Sequence, residues 1–207
     1  MKLLISLAFV CALFYKAFPL QCNMCTLNTA PCTTTPVPCP ANQTRCASAT
    51  VLSTVGGNQT TLELKTCATP DLCISGSVNL RATRYTVNTL CCDTDLCNTQ
   101  SPPALYDGSQ NGRECFTCVE NNCTHKLQCL GAEDRCISSS VTAGGQTTTV
   151  KGCATRTVCA GDLKVEIGTV ASLNLTCCEG NLCNNALPVE QSFLLLLVSL
   201  ASFILLY

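Results

Sequence analysis

Apolar positions fall into two patterns along the chain. An uncharged run from Leu3 to Phe14 follows Lys2, and a second from Phe193 to Tyr207 closes the sequence; between them, apolar residues come in short runs interleaved with Thr and Ser. The stretches RCASATVLSTVGGNQTTLELKTC and RCISSSVTAGGQTTTVKGC each carry two β-prone segments around a glycine pair, Gly56-Gly57 and Gly144-Gly145. That arrangement predicts hairpins with glycine-bearing tips. LRATRYTVNTLCC and KVEIGTVASLNLTCC end in extended, β-branched stretches that feed a double cysteine. No helical period shows, so the chain reads as all-β.

The two terminal runs change the picture. The first is too short to span a bilayer and has the form of a secretory signal peptide over residues 1–20, with cleavage between 17 and 21. The second has 15 residues, no charge and no basic residue after it, whereas a spanning helix needs roughly 20 apolar residues. Placed after the polar spacer Leu187 to Ser192, it has the form of a glycosylphosphatidylinositol (GPI) attachment signal over residues 185–207, removed on attachment. Asn184 and Asn185 are the candidate attachment residues; Asn184 has the small Ala186 two places on, and Asn185 has Leu187. A short transmembrane helix is the competing reading.

Between these ends the chain repeats itself. CCDTDLCN at 91–98 returns as CCEGNLCN at 177–184. The cysteines at 22, 25, 32, 39, 46, 67, 73, 91, 92 and 97 are answered by those at 115, 118, 123, 129, 136, 153, 159, 177, 178 and 183. Five residues separate Cys67 from Cys73 and Cys153 from Cys159, and 17 separate Cys73 from Cys91 and Cys159 from Cys177. Changes of length fall between the second and fourth and between the fifth and sixth cysteines, which predicts loops or hairpin tips there. Two domains follow, 21–98 and 115–184, joined by the Pro- and Gly-bearing linker 99–114.

Composition says what holds such domains together. Of 21 cysteines, Cys11 lies in the signal peptide, leaving 20 for an oxidising compartment. With no Trp and domains of about 70 to 77 residues, hydrocarbon cores are thin and crosslinks must make up the difference. Lys2, Lys16 and Glu190 fall in the removed ends, leaving ten basic and twelve acidic side chains without a basic cluster. A nucleic-acid partner is therefore not expected.

Candidate chemistry is sparse. C-x-x-C at Cys22/Cys25 and Cys115/Cys118 can ligate zinc or run redox chemistry, but in an exported chain it reads as structural bridging. His125 is the only histidine; it reads as an exposed loop residue, and no G-x-S-x-G stretch accompanies it. Asp93 and Asp95 resemble a metal pair, yet Glu179 and Asn181 replace them in the second copy, so a solvated turn is expected. Neither catalysis, a cofactor nor a small-molecule substrate is expected. Sequons occur at Asn42, Asn58, Asn122 and Asn174, of which Asn42 and Asn58 fall at predicted loop and tip positions.

Ten cysteines in this order, opening C-x-x-C and closing C-C-x-x-x-x-C-N, resemble the lymphocyte-antigen-6/urokinase-receptor superfamily of three-finger domains. The resemblance implies an all-β, disulfide-rich fold of two tandem three-finger domains with five disulfides each. It implies the pairs Cys22–Cys46, Cys25–Cys32, Cys39–Cys67, Cys73–Cys91 and Cys92–Cys97, then Cys115–Cys136, Cys118–Cys123, Cys129–Cys153, Cys159–Cys177 and Cys178–Cys183. It further implies that Asn98 and Asn184 tie each chain end to the palm by hydrogen bonds. The functional expectation is a GPI-anchored cell-surface module that binds an extracellular or cell-surface protein. The alternative is a secreted inhibitor of a phospholipase or other extracellular enzyme.

Overall fold

The computed structural model describes residues 19–29, 31–120, 122–143, 146–160 and 173–185. The tip at Gly144-Gly145, residues 161–172 and both terminal apolar runs lie outside the described residues. Within the first domain run β1 (Gln21–Thr29), β2 (Thr35–Pro38), β3 (Arg45–Val55), β4 (Asn58–Ala68), β5 (Gly76–Asn79) and β6 (Thr83–Cys92). The second contributes β7 (Gln110–Val119), β8 (Asn122–Leu130), β9 (Arg135–Ala143), β10 (Gln146–Ala154) and β11 (Leu173–Cys178). The chain folds as two three-finger domains, which is the all-β, disulfide-rich fold expected.

The Gly56-Gly57 tip forms as expected. Val55 faces Asn58 across a two-residue turn, and both glycines hold positive φ, 56° and 88°, which residues with a side chain resist. From that tip β3 pairs residue for residue with β4 on one side and β6 on the other.

The longest helical turn among the described residues was not legible in the sequence. Arg156–Ala160 forms a single helical turn, α1, whose Val158 is buried. One turn is too short to show a period, and it is held by the bridge at Cys159 and by packing rather than by propensity.

Each core is built from sulfur. The structure joins Cys22–Cys46, Cys25–Cys32, Cys39–Cys67, Cys73–Cys91 and Cys92–Cys97 in the first domain. In the second it joins Cys115–Cys136, Cys118–Cys123, Cys129–Cys153, Cys159–Cys177 and Cys178–Cys183. Cys22, Cys39, Cys46 and Cys67 form one buried cluster, and Cys115, Cys129, Cys136 and Cys153 its counterpart. Within these clusters the sulfurs of Cys22 and Cys39 lie 3.1 Å apart, and those of Cys115 and Cys129 3.4 Å. They are therefore spent in bridges and are not thiolates open to a metal.

The repeated motif explains itself residue by residue. After each double cysteine an acid pairs with the arginine preceding the fifth cysteine: Asp93 with Arg45 at 2.9 Å, Glu179 with Arg135 at 3.2 Å. Two residues on, Asp95 Oδ1 accepts the Gln21 N–H at 2.9 Å and Asn181 Oδ1 the Glu114 N–H at 3.3 Å. Asp93 and Asp95 are thus fastening groups, and their replacement by Glu179 and Asn181 keeps the function. Leu96 and Leu182, at φ 56° and 57°, return N–H bonds of 2.7 and 2.8 Å to the carbonyls of Gln21 and Glu114. The asparagine then finishes the knot. Asn98 Nδ2 donates to the carbonyls of Asn23 and Ala47, both at 2.9 Å, while its Oδ1 accepts the Asn23 N–H at 2.9 Å. Asn184 does the same with Phe116 and Ile137.

Asn98 is 3% exposed, so Asn98→Ala strips two carbonyls and one N–H of their partner without admitting water. We expect a loss of about 2–4 kcal/mol, read as a lower urea midpoint with the bridges intact. An unchanged midpoint would remove the asparagine from the account of stability.

Candidate functional site

The two domains meet along a shared sheet edge. β10 pairs with β5 through Cys153↔Asn79 and Ala154↔Val78, and Thr155 N–H extends the ladder to the Ser77 carbonyl at 3.0 Å. Two glycines permit the approach. A Cβ on Gly152 would collide with the Asn79 carbonyl oxygen, and one on Gly76 with the Thr155 hydroxyl. Val78 and Leu80 of the first domain pack on Ile137, Ala154 and Val158 of the second.

At this junction lies Glu133, fully buried. Its Oε1 accepts from Arg84 Nε at 2.8 Å and Ser77 Oγ at 3.1 Å; its Oε2 accepts from Asn79 Nδ2 at 3.3 Å and Leu130 N–H at 2.9 Å. Three of the four donors belong to the other domain. A buried carboxylate persists only when so paired.

The linker is strapped down rather than free. Pro102 and Pro103 lack N–H groups but present carbonyls, which accept from Thr50 Oγ1 at 2.6 Å and Asn88 Nδ2 at 2.9 Å. Thr86 Oγ1 donates to the Leu105 carbonyl at 2.7 Å, and Lys65 Nζ to that of Thr99. Beyond the strap, Leu105 and Tyr106 stand 43% and 64% exposed.

Strap and junction together frame a cleft of about 410 Å³. Its lining draws on the linker through Leu105, Tyr106 and Asp107, on the first domain through Arg84 and Thr86, and on the second through Ala132, Asp134 and Arg156. Asp107 Oδ1 accepts the Ser109 N–H at 2.9 Å. That bond, with the Ser109 hydroxyl and the Arg84 charge, holds the carboxyl below its ordinary value, so it is an anion at neutral pH. Arg84 is committed to Glu133; Asp134 pairs with Arg135 at 3.0 Å and accepts the Arg156 N–H at 2.8 Å. What faces outward is an aromatic and an aliphatic side chain beside a guanidinium, a composition suited to binding.

The remaining sequence candidates lie elsewhere. His125 sits exposed on strand β8 opposite Thr117, not in a loop, and outside the cleft lining. Asn42 and Asn58 are exposed. Asn122 is exposed too, its Oδ1 accepting from the Thr124 hydroxyl at 2.7 Å. Asn174 falls on β11 opposite Ser140. Asn184 is buried and Asn185 exposed. Sequence reasoning missed Glu133, Arg84, Gly76 and Gly152; an isolated glycine inside a strand pattern is the one signal that pointed to a close backbone approach.

Comparison with known proteins follows the same division. A urokinase plasminogen activator surface receptor from Bos taurus is 30% identical over 111 residues, covering 49% of this chain and 33% of the receptor. The chain thus spans about a third of the length of the receptors it matches. A gamma-type phospholipase A2 inhibitor chain from Laticauda semifasciata is 29% identical over 153 residues, covering 68% of this chain and 84% of the inhibitor chain. The crystal structure of mouse TEX101 is 17% identical, covering 79% of this chain and 98% of that one at a TM-score of 0.29. The u-PAR/Ly-6 domain matches twice, at residues 19–100 and 111–186. Matched once per structural domain, the chain belongs to the u-PAR/Ly-6 family.

Proposed function

We propose that the protein is a GPI-anchored, extracellular binding module, without catalysis, that engages another protein through the interdomain cleft and its linker rim. The observation that carries this reading is the pair Leu105 and Tyr106, exposed at a cleft lined by both domains, which the buried Glu133–Arg84 pair fastens together. A rigid aromatic anchor beside a preformed cleft loses little entropy on binding. Attachment of lipid at Asn185 fits the chain end better than at Asn184. Asn184 is buried and spends its side chain in three bonds, so anchoring through Asn185 leaves one residue between the knot and the lipid. At the other end, Leu20 packs on the sulfur core and its carbonyl accepts the Cys39 N–H at 2.7 Å. The mature chain is therefore proposed to begin at or before Leu20.

A secreted inhibitor is the second reading, favoured by the 84% of an inhibitor chain's length that this chain covers. Expression of the full chain in animal cells, followed by phosphatidylinositol-specific phospholipase C, separates the two. Release from the surface by the enzyme, with an N-terminal sequence starting at or before Leu20, is the expected result. Protein in the medium without treatment would favour the inhibitor, and surface protein that resists release would replace the anchor by a membrane-spanning tail.

A further inference from the structure

The central finger of the first domain has two unlike faces. Register places Thr50, Leu52, Thr54, Glu63, Arg84, Thr86 and Asn88 on the face that carries the linker strap. The opposite face holds Val51, Ser53, Val55, Asn58, Thr60, Leu62, Thr83, Tyr85 and Val87. No charged residue of these finger segments lies on it. Val55 and Tyr85 are 52% and 41% exposed, and Val51, Leu62 and Val87 are half-buried. Asn58, the acceptor of the sequon Asn58-Gln59-Thr60, opens this same face: it is exposed, directly opposite Val55.

We propose that an N-linked glycan on Asn58 folds back over this uncharged face and covers Val55 and Tyr85, making the modification a permanent part of the domain surface. Tyr85 lies two strands across and one two-residue step along from Asn58, about 12 Å away, within reach of the first sugars of the glycan core. The C–H faces of pyranose rings match the electron-rich face of a tyrosine ring and the methyls of valine, while their hydroxyls bond Ser53, Thr60 and Thr83 beside them. A charged face would compete by hydration; this one does not. The inference rests on the exported character of the chain, and it leaves the strap face and the cleft as the surface open to a protein partner.

The test uses the full chain produced in animal cells. Glycopeptide mass spectrometry reads occupancy of Asn58, and tetranitromethane nitration reads access to Tyr85 before and after enzymatic trimming of the glycan to its first sugar. Trimming should raise Tyr85 nitration on the order of threefold or more, while Tyr106, exposed beyond the strap, serves as the internal control and should not change. Trimming should also lower Tm by about 5 °C, and this shift should vanish in Tyr85→Ser. The nitration measurement stands alone if that variant fails to fold. Exported protein with Asn58 unmodified would overturn the proposal and hand the face to a protein partner; so would an occupied Asn58 whose trimming leaves Tyr85 reactivity unchanged. Failure of export altogether would instead remove the reading on which it rests.

Discussion

Glu133→Ala should lower the unfolding free energy of the two-domain protein by about 3–5 kcal/mol. The carboxylate is fully buried, and its removal leaves the Arg84 guanidinium, 10% exposed, without its anion. Ser77 Oγ, Asn79 Nδ2 and Leu130 N–H lose their acceptor at the same time. Leaving a charge buried and unpaired costs more than the pair itself contributes. The double variant Arg84→Met/Glu133→Leu, which removes both charges and keeps the volume, should therefore recover only the share due to the stranded guanidinium, because Ser77 Oγ, Asn79 Nδ2 and Leu130 N–H still lack their acceptor. Urea denaturation with the bridges intact measures the cost, and hydrogen exchange at Val78 and Ala154 should show the β5–β10 edge opening first. A Glu133→Ala protein with the wild-type midpoint and a protected edge would show that the junction is held by its apolar contacts alone.

For the recognition proposed above, that junction matters because the cleft is built from three separate parts of the chain. Leu105 and Tyr106 come from the linker, Arg84 and Thr86 from the first domain, Ala132 and Arg156 from the second. Domains free to swing would present these groups in no fixed relation, and a partner would have to order them at its own cost. The buried pair, the shared ladder and the strap remove that freedom beforehand.

What the sequence disclosed was whatever repeats or is local. The cysteine ladder appears twice and so announces both domains and their ends. Gly56-Gly57 sits between two β-prone runs and so announces its own hairpin. The junction does neither. Glu133 stands three residues before Cys136, where the first domain has Gln43 before Cys46. Both residues close the same turn, donating N–H bonds to Leu130 and Pro40. Only the second copy carries a charge there, so comparing the repeats marks Glu133 as a departure without a purpose. Its purpose lies in Arg84, 49 residues away in the other domain, and no local pattern connects them. The same holds for Gly152, whose missing side chain is explained by a carbonyl of the first domain. Conversely, the arginines before Cys46 and Cys136 do repeat; their pairing with Asp93 and Glu179 was legible in principle and became plain once the strands were in register.

Full reduction at neutral pH should unfold both domains without any denaturant. Beyond cysteine, the buried apolar side chains of the described residues are four alanines with Leu52, Ile137 and Val158, far less hydrocarbon than a domain of this size needs to hold itself together. The sulfurs fill that space instead, so cutting the bridges removes crosslink and core in one step. Each bridge closing a separation such as the 18 residues from Cys73 to Cys91 or the 28 from Cys39 to Cys67 contributes about 3 kcal/mol in the chain-entropy model. A folded state worth the usual 5–15 kcal/mol is therefore exhausted by the loss of a few bridges. The junction cannot rescue it, since β5 and β10 pair over only two residue pairs and each is positioned by bridges of its own domain. The near-ultraviolet signal and protease resistance should disappear together as the thiols are blocked. A fully reduced domain that kept both would mean that its strands, not its sulfurs, carry the fold.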